Sequence, residues 1–388
     1  MFFPVSPHPA LHVCVIVPVR NEAHGLTRTL AALAAQIDDA GLPLNPVCYE
    51  VLLLANNCTD STAEVARAFA KQHPALALHI LEAALPPGEA NVGTARRRLM
   101  DLAFARFEQL DRPHGMIAST DGDTRVAPDW VWQMMAARKQ GAQAVGGRVL
   151  TERDIDAKTA MGRGVRLFYL RDTAYLHGLA RLETLLDPAV HDPWPRHHQF
   201  FGANMAVTAE AYCRVGGLPA VPFLEDEALA RTLRRADVRV RYSPDVRVWT
   251  SARQNGRVAC GLSTTLSTWE EMSRAGLPQI VESVEAVETR LRARAALRRQ
   301  WQDAQAGRTV EAEALAETLG VPAAWFGDMT DGPFGEVWDR VTRAHLIDDG
   351  PWALRWPRVE ITEALPALRA RLAEVEKRPP PPQFWGAR

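Results

Sequence analysis

The sequence predicts an α/β fold, a mostly parallel sheet with helices on both faces, followed by a C-terminal helical region. Short apolar, β-branched runs alternate with helically spaced runs through roughly the first 250 residues, the pattern of a parallel sheet covered by helices. A polar cluster follows several of those runs, where ligands bind in open α/β sheets, beyond the carboxyl ends of the strands. The chain of 388 residues with 47% hydrophobic content is also long enough for a sizeable core and more than one domain.

Taken in order, "HVCVIVPV" (12–19) reads as a buried strand, "HGLTRTLAALAAQ" (24–36) as a helix and "CYEVLLLA" (48–55) as a strand. A helix follows the turn "NNCTDST", in which Asp60, Ser61 or Thr62 can accept from the free N–H groups of the helix start. Next come "ALALHIL" (75–81) as strand, "NVGTARRRLMDLAFARFEQL" (91–110) as helix and "GMIAST" (115–120) as strand. "PDWVWQMMAARKQ" (128–140) is a helix opened by Pro128. "VGGLP" (215–219) ends a helix, with Gly216 or Gly217 in the left-handed cap conformation.

Beyond 260, "WEEMSRAGLPQIVESVEAVETRLRARAALRRQW" (269–301) is rich in helix formers, and five arginines crowd residues 290–299. The domain division expected is 1–260, a helical accessory region at 261–378 and a Pro-rich tail at 379–388. The accessory region is suited to packing on the first domain, to building a homo-oligomer interface or to peripheral contact with a membrane surface; the arginines read best as a solvated helix face.

Composition narrows the partners. A formal net charge of -1 leaves no bulk attraction for nucleic acid. Five scattered cysteines without a C-x-x-C pair argue against a disulfide framework and a zinc site, and read as reduced thiols of a cytoplasmic protein. No run of about 18 apolar residues predicts a membrane span. The adjacent His197 and His198 lack a spaced partner and read as ordinary surface or core residues.

"STDGDTRVAPDW" (119–130) carries the sharpest signal. Asp121 and Asp123 lie just past a strand end, and two carboxylates this close repel unless a cation joins them; hard divalent ions favour such oxygens together with substrate phosphates. A plain polar turn, in which Gly122 supplies positive φ, is the competing reading.

Further segments fall in a telling order: "PVRNEA" (18–23), "NNCTDST" (56–62), "GTARRR" (93–98), the Asp-Gly-Asp turn, "FFGANMAVTAEAYCRVGGLP" (200–219) and "LEDEALARTLRRADVRVRYSPDVRVW" (224–249). This succession resembles glycosyltransferase family 2, enzymes of the GT-A fold that use nucleotide-diphosphate sugars, over about residues 12–250. The resemblance implies that Pro18, Val19, Arg20, Asn21 and Glu22 line a nucleotide pocket, that Asn56 stands where a family carboxylate grips the base, and that Arg96 faces nucleotide or phosphate. It makes Asp121 and Asp123 the family's Asp-x-Asp pair, Asp123 ligating Mn²⁺ or Mg²⁺ directly and Asp121 lying nearer the ribose or the metal's waters. It sets Gly202, Ala203 and Asn204 on the sugar and acceptor side, and it makes Asp226 the catalytic base with Glu225 as its neighbour.

Two positions depart from the family pattern. Ala55 and Asn56 replace a carboxylate pair, and a neutral Asn still offers a base both a donor and an acceptor. Thr250 stands where relatives often carry a histidine that reaches the metal. The reaction implied is sugar transfer from a nucleotide-diphosphate sugar to an acceptor hydroxyl, metal-dependent and inverting. The alternatives are a partner subunit that binds nucleotide sugar without turnover, and a sugar-1-phosphate nucleotidylyltransferase, which needs a Gly-rich loop that "PVRNEA" does not supply. On helix spacing, Asp226 shares a face with Leu229 and Leu233 and points inward, whereas Glu227 shares one with Arg231 and Arg234 and is solvated.

Overall fold

The computed structural model describes residues 5–151, 160–250, 261–308, 313–326, 332–345 and 351–377. The chain divides into two compact units. The first comprises Met1–Ile155, Gln199–Leu233 and Val238–Thr265; the second comprises Asp156–His198, Arg234–Asp237 and Leu266–Arg388. This division differs from a linear boundary at 260, because the chain leaves the first unit after Ile155, contributes to the second unit and returns at Gln199.

The first unit begins with β1 (Val13–Val19), α1 (Leu26–Ala34), β2 (Tyr49–Asn56), α2 (Thr62–Gln72) and β3 (Leu78–Ala83). It continues with α3 (Val92–Gln109), β4 (Met116–Ser119), β5 (Thr124–Val126), α4 (Trp130–Lys139) and β6 (Ala144–Thr151). After α5 (Ala160–Leu186), which lies in the second unit, come β7 (Met205–Thr208), α6 (Ala209–Arg214), α7 (Glu225–Arg235) and β8 (Val240–Thr250). The sheet order is β3-β2-β1-β4-β7-β6-β8-β5. Strands β1 to β4 pair in parallel, as do β6 and β8, while β7 runs antiparallel to both β4 and β6, and β5 antiparallel to β8.

Alternation along the strands sends side chains to two helical layers. Val13, Val15, Val17 and Val19 pack with Leu26, Leu30 and Leu33 of α1, with Ala63, Ala66 and Phe69 of α2, and with Trp130 and Met134 of α4. The other parity meets α3, where Arg106 donates from Nε and Nη2 to the two carboxylate oxygens of Glu50 at 2.5 and 2.6 Å. Cys14 donates to the same carboxylate at 3.4 Å. Burial pushes the Glu50 carboxyl up, but hydrogen bonds from His79 and Arg106 prevail and hold it below its usual range.

The strands and helices expected up to residue 140 all form, with ends shifted by a few residues. Gly216 and Gly217 both take positive φ, 78° and 84°, directly after α6. The helix-rich stretch 269–301 forms parts of two helices, separated where Gly276 adopts φ 67° and Pro278 lacks an N–H donor. These helices are α8 (Leu262–Ala275) and α9 (Val284–Gln305), with β9 (Ile280–Val281) between them. The second unit then adds α10 (Glu313–Leu319), α11 (Phe334–His345), α12 (Pro351–Arg355), β10 (Val359–Glu360) and α13 (Ile361–Glu376).

Within this unit Tyr175 and Leu182 of α5 pack with Val284, Val287 and Leu291 of α9 and with Ile361, Ala364 and Leu368 of α13. The arginine run is not a simple solvated face. Arg294 donates to Glu183 at 2.6 Å and to Asp187 at 2.5 Å, and Arg298 donates to Asp187 at 2.8 and 3.1 Å. Arg290 is paired with Glu282 and Arg292 with Glu288, while Arg299 is exposed.

Candidate active site

Parallel pairing brings the ends of β1, β2 and β4 to one edge of the sheet. The start of β7 joins them there because Met205 pairs antiparallel with Ser119. The end of β8 joins as well, since Thr250 pairs with Thr124 immediately after the Asp-Gly-Asp turn. The polar segments singled out in the sequence after β1, β2 and β4 and before β7 therefore converge through register alone.

Pro18 and Val19 close β1, and the loop after them is tied to the loop after β2. Asn21, at φ 54°, accepts from the Thr59 N–H at 2.7 Å. Glu22 N–H donates to Thr62 Oγ1 at 2.8 Å and Ala23 N–H donates to Asp60 at 3.2 Å. Asp60 also accepts from the Thr62 N–H at 3.1 Å and from its hydroxyl. Burial pushes its carboxyl up, but these hydrogen bonds together outweigh that and lower it. Asp60 is thus an internal clamp of the two loops, in keeping with its reading as a turn and cap residue. Arg20 donates to the Ala90 carbonyl at 3.1 Å.

Asn56 ends β2 and is 3% exposed, with no hydrogen-bond partner for Oδ1. Thr120, just past β4, is equally enclosed and its hydroxyl is likewise without one. Buried acceptors are rarely left in this state, because each forfeits its bonds to water.

Gly122 does not take positive φ. It is required for space: a Cβ there would stand 2.5 Å from Val19 Cγ1. Its carbonyl accepts from Thr29 Oγ1 at 2.9 Å, so the Asp-Gly-Asp turn is seated on the end of β1 and on α1. Asp121 and Asp123 flank that seat and are both half-buried. Thr124 Oγ1 donates toward Thr250 Oγ1 at 3.3 Å, which sets Thr250 next to Asp123 in the fold.

Arg96 is the hub of the site and, at 3% exposed, is folded into the protein. Nη2 donates to Asp121 Oδ1 at 2.9 Å, Nε to Glu225 Oε1 at 2.9 Å and Nη1 to the Gly202 carbonyl at 2.8 Å, with a further short contact to Ser119 Oγ. Burial by itself would lower the guanidinium pKa, yet the Asp121 and Glu225 carboxylates raise it, so the cation is locked in. The family resemblance sets this residue against nucleotide or phosphate; its observed partners are protein groups that join the two acidic motifs. Arg97 is instead paired with Asp101 and Arg98 with Glu89, as expected for three successive helix positions pointing in different directions.

At the start of α7, Glu225 is buried, Asp226 is half-buried and Glu227 is exposed. Asp226 Oδ2 accepts from the Gly202 N–H at 2.7 Å and Oδ1 from the Glu227 N–H at 2.8 Å. Leu229 and Leu233 are fully buried on the face that Asp226 shares. Of the Gly202–Asn204 segment, Gly202 touches Arg96 closely enough that a Cβ would lie 2.6 Å from its guanidinium carbon. Ala203 is half-buried. Asn204 is fully buried: Oδ1 accepts from Trp130 Nε1 at 2.8 Å, and Nδ2 donates to the Arg148 and Val246 carbonyls at 3.1 and 3.0 Å. Its amide therefore braces the segment and has no donor or acceptor turned toward a ligand.

Sequence reasoning missed Ser119, which holds both Arg96 and the Gly202 carbonyl, the latter at 2.7 Å. It also missed Gly93, where a Cβ would meet the Val221 carbonyl at 2.4 Å, so that α3 can approach the segment before α7. A glycine in the first turn of a long helix, where it costs stability, is the one sequence signal that pointed to such an approach. Among the described residues no group of three or more His, Cys, Asp or Glu side chains could hold a metal by itself. The available donors are the paired aspartates, which suit a hard cation that completes its shell with phosphate oxygens and water.

The mostly parallel sheet, with acidic and backbone groups gathered at its carboxyl edge, is an α/β fold of the GT-A type. The chain belongs to glycosyltransferase family 2: the family model described as "Glycosyltransferase like family 2" matches residues 9–273. A relative, dolichyl-phosphate beta-glucosyltransferase of Drosophila melanogaster, is 27% identical over 163 residues, 40% of this chain and 47% of the relative. The chain thus spans about half the length of that relative. Among solved structures, the mannosyltransferase PcManGT of Pyrobaculum calidifontis, in complex with GDP-Man and Mn²⁺, is 20% identical with a TM-score of 0.42, covering 96% of this chain and 83% of that one. S. aureus TarS 1–349 in complex with UDP is 13% identical with a TM-score of 0.45, covering 94% and 89%.

Proposed function

We propose that this glycosyltransferase moves a sugar from a nucleotide-diphosphate donor to an acceptor hydroxyl with inversion at the anomeric carbon, and that it uses Mn²⁺ or Mg²⁺. The observation that carries the reading is the Arg96 hub, which ties the Asp-Gly-Asp turn to the start of α7 through Asp121 and Glu225. It joins an acidic turn suited to a diphosphate with a second acidic motif about a hundred residues later in the chain.

In this reading the edge from Pro18 to Glu22 receives the nucleoside, and the unpartnered Asn56 Oδ1 accepts from the base. Asp123, with Asp121 beside it, holds the divalent ion, which when bound neutralises charge gathering on the departing diphosphate. The Gly202 and Glu227 N–H groups each donate to one oxygen of Asp226, and the carboxylate's remaining lone pairs can accept the proton of the attacking hydroxyl. As the new C–O bond forms on one face of the sugar, the bond to the diphosphate breaks on the other, and the proton passes to Asp226. Glu225, committed to Arg96, positions the start of α7.

The test is transfer and donor binding measured on the same variant. Asp226→Asn is expected to keep Mn²⁺-dependent donor binding in calorimetry and to lose transfer by about a hundredfold or more, the scale of general-base catalysis. Near-normal transfer by that variant overturns the assignment.

A further inference from the structure

We infer that the acceptor carries an apolar group next to its reacting hydroxyl, and that Phe201, Phe223 and Leu224 form the platform that binds it. The inference rests on the reading of Asp226 as the base. Phe201 immediately precedes Gly202, whose N–H holds Asp226 at 2.7 Å, and Phe223 and Leu224 immediately precede Glu225 and Asp226. The three side chains are 45%, 44% and 44% exposed. Scattered exposed hydrophobics need no explanation, but these three large ones all stand within three positions of one or other partner of the hydrogen bond that holds the proposed base.

Leu224 supplies a second, independent observation. It adopts φ 56°, a left-handed conformation uncommon for a bulky non-glycine residue. It also stands directly before α7, its carbonyl accepting the first helical hydrogen bond from the Ala228 N–H at 3.0 Å, at a position that favours Ser, Thr, Asp, Asn or Gly. Leucine offers no cap there, strains the backbone and leaves its isobutyl group partly in water. Three unfavourable features at one residue, two positions before the proposed base, are the mark of a side chain presented to a ligand. Phe201, Phe223 and Leu224 carry no polar side-chain group, so they discriminate by apolar area. The ligand class is an alcohol or glycoside with an alkyl or aromatic aglycone.

The probe is a series of alkyl β-glucosides from methyl to n-octyl, kept below their critical micelle concentrations, with binding read by calorimetry or ligand-observed NMR in the presence of the nucleoside diphosphate and Mn²⁺. Affinity is expected to rise at least tenfold from methyl to octyl for the wild-type chain. The Phe201→Ser/Phe223→Ser variant is expected to lose most of that rise, and Leu224→Asn part of it. Leu42→Ser, at a leucine 61% exposed in the connection leading into β2 and so at the opposite sheet edge, is expected to change nothing. Circular dichroism confirms that each variant is folded. Affinity independent of chain length, as for a surface that serves a protein partner, overturns the inference, as does an unchanged rise in the platform variants or no binding of the octyl glucoside. These readouts need no turnover, so failure of the Asp226 assignment shows itself separately, as transfer retained by Asp226→Asn.

Discussion

Arg96 is a cation removed from water and held between two carboxylates, one just past β4 and one at the head of α7, 129 residues beyond Arg96 itself. Breaking such a pair costs more than forming it gains, because the remaining charge stays buried without compensation. Arg96→Met is expected to destabilise the chain by about 3–5 kcal/mol, measured by urea unfolding, since it strands Glu225. Adding Glu225→Gln should restore part of that loss, and the double-mutant cycle isolates the coupling. Additive losses would show that the two groups are not coupled. The sequence made the acids of the site legible, since Asp121 and Asp123 follow a strand and Asp226 opens a helix. It did not reveal Arg96 as their link, because nothing local marks which of three consecutive arginines is buried. The same limit applies to Asn204 and Gly122: their roles come from Trp130 and Val19, neighbours supplied by the tertiary fold.

At the scale of elements, the strands and helices up to residue 140 were legible because burial on the sheet and helix amphipathicity leave different periods. β5 was not, being three residues long, too short to display alternation. The arginine stripe of α9 was misread as solvated because its carboxylate partners, Glu183 and Asp187, lie on and just after α5, over 100 residues earlier. Burial pushes both carboxyls up, but the charges of Arg294 and its neighbours, Arg196 at Glu183 and Arg298 at Asp187, pull both below the ordinary range. The unfolded chain therefore takes up these protons first as pH falls. Their stabilising contribution is fully present above the unfolded carboxyl values of about 4 and drains away as pH drops toward the lower folded values. Urea midpoints of the wild-type chain are expected to fall steeply between about pH 5 and pH 3, and Asp187→Asn to start lower at pH 7 and to show a shallower fall. A variant slope equal to that of the wild type would remove Asp187 from the acid response.

At the scale of the whole molecule, the chain builds its second unit from three separate stretches. A sequence-based boundary at 260 cannot represent this, because linear composition does not show that α5 belongs with helices formed a hundred residues later. The consequence is physical. Tyr175 and Leu182 of α5 are buried among Val284, Val287, Leu291, Ile361 and Leu368, all of which lie beyond residue 260. A fragment ending at 260 retains α5 but none of those partners, and uncovers an apolar stripe at a cost on the order of 1.5–3 kcal/mol for each large side chain returned to water. It also leaves Glu183 and Asp187 without Arg294 and Arg298. Arg96, Asp121 and Asp226 all lie within the fragment, so these groups are kept and the expected loss is one of folding and solubility. We expect the 1–260 fragment to aggregate or to bind a hydrophobic dye, whereas a chain ending at 377, after α13, stays monodisperse and unfolds like the 388-residue chain. Size-exclusion chromatography with dye fluorescence makes the comparison, and a monodisperse, cooperatively unfolding 1–260 fragment would show that α5 does not depend on α9 and α13.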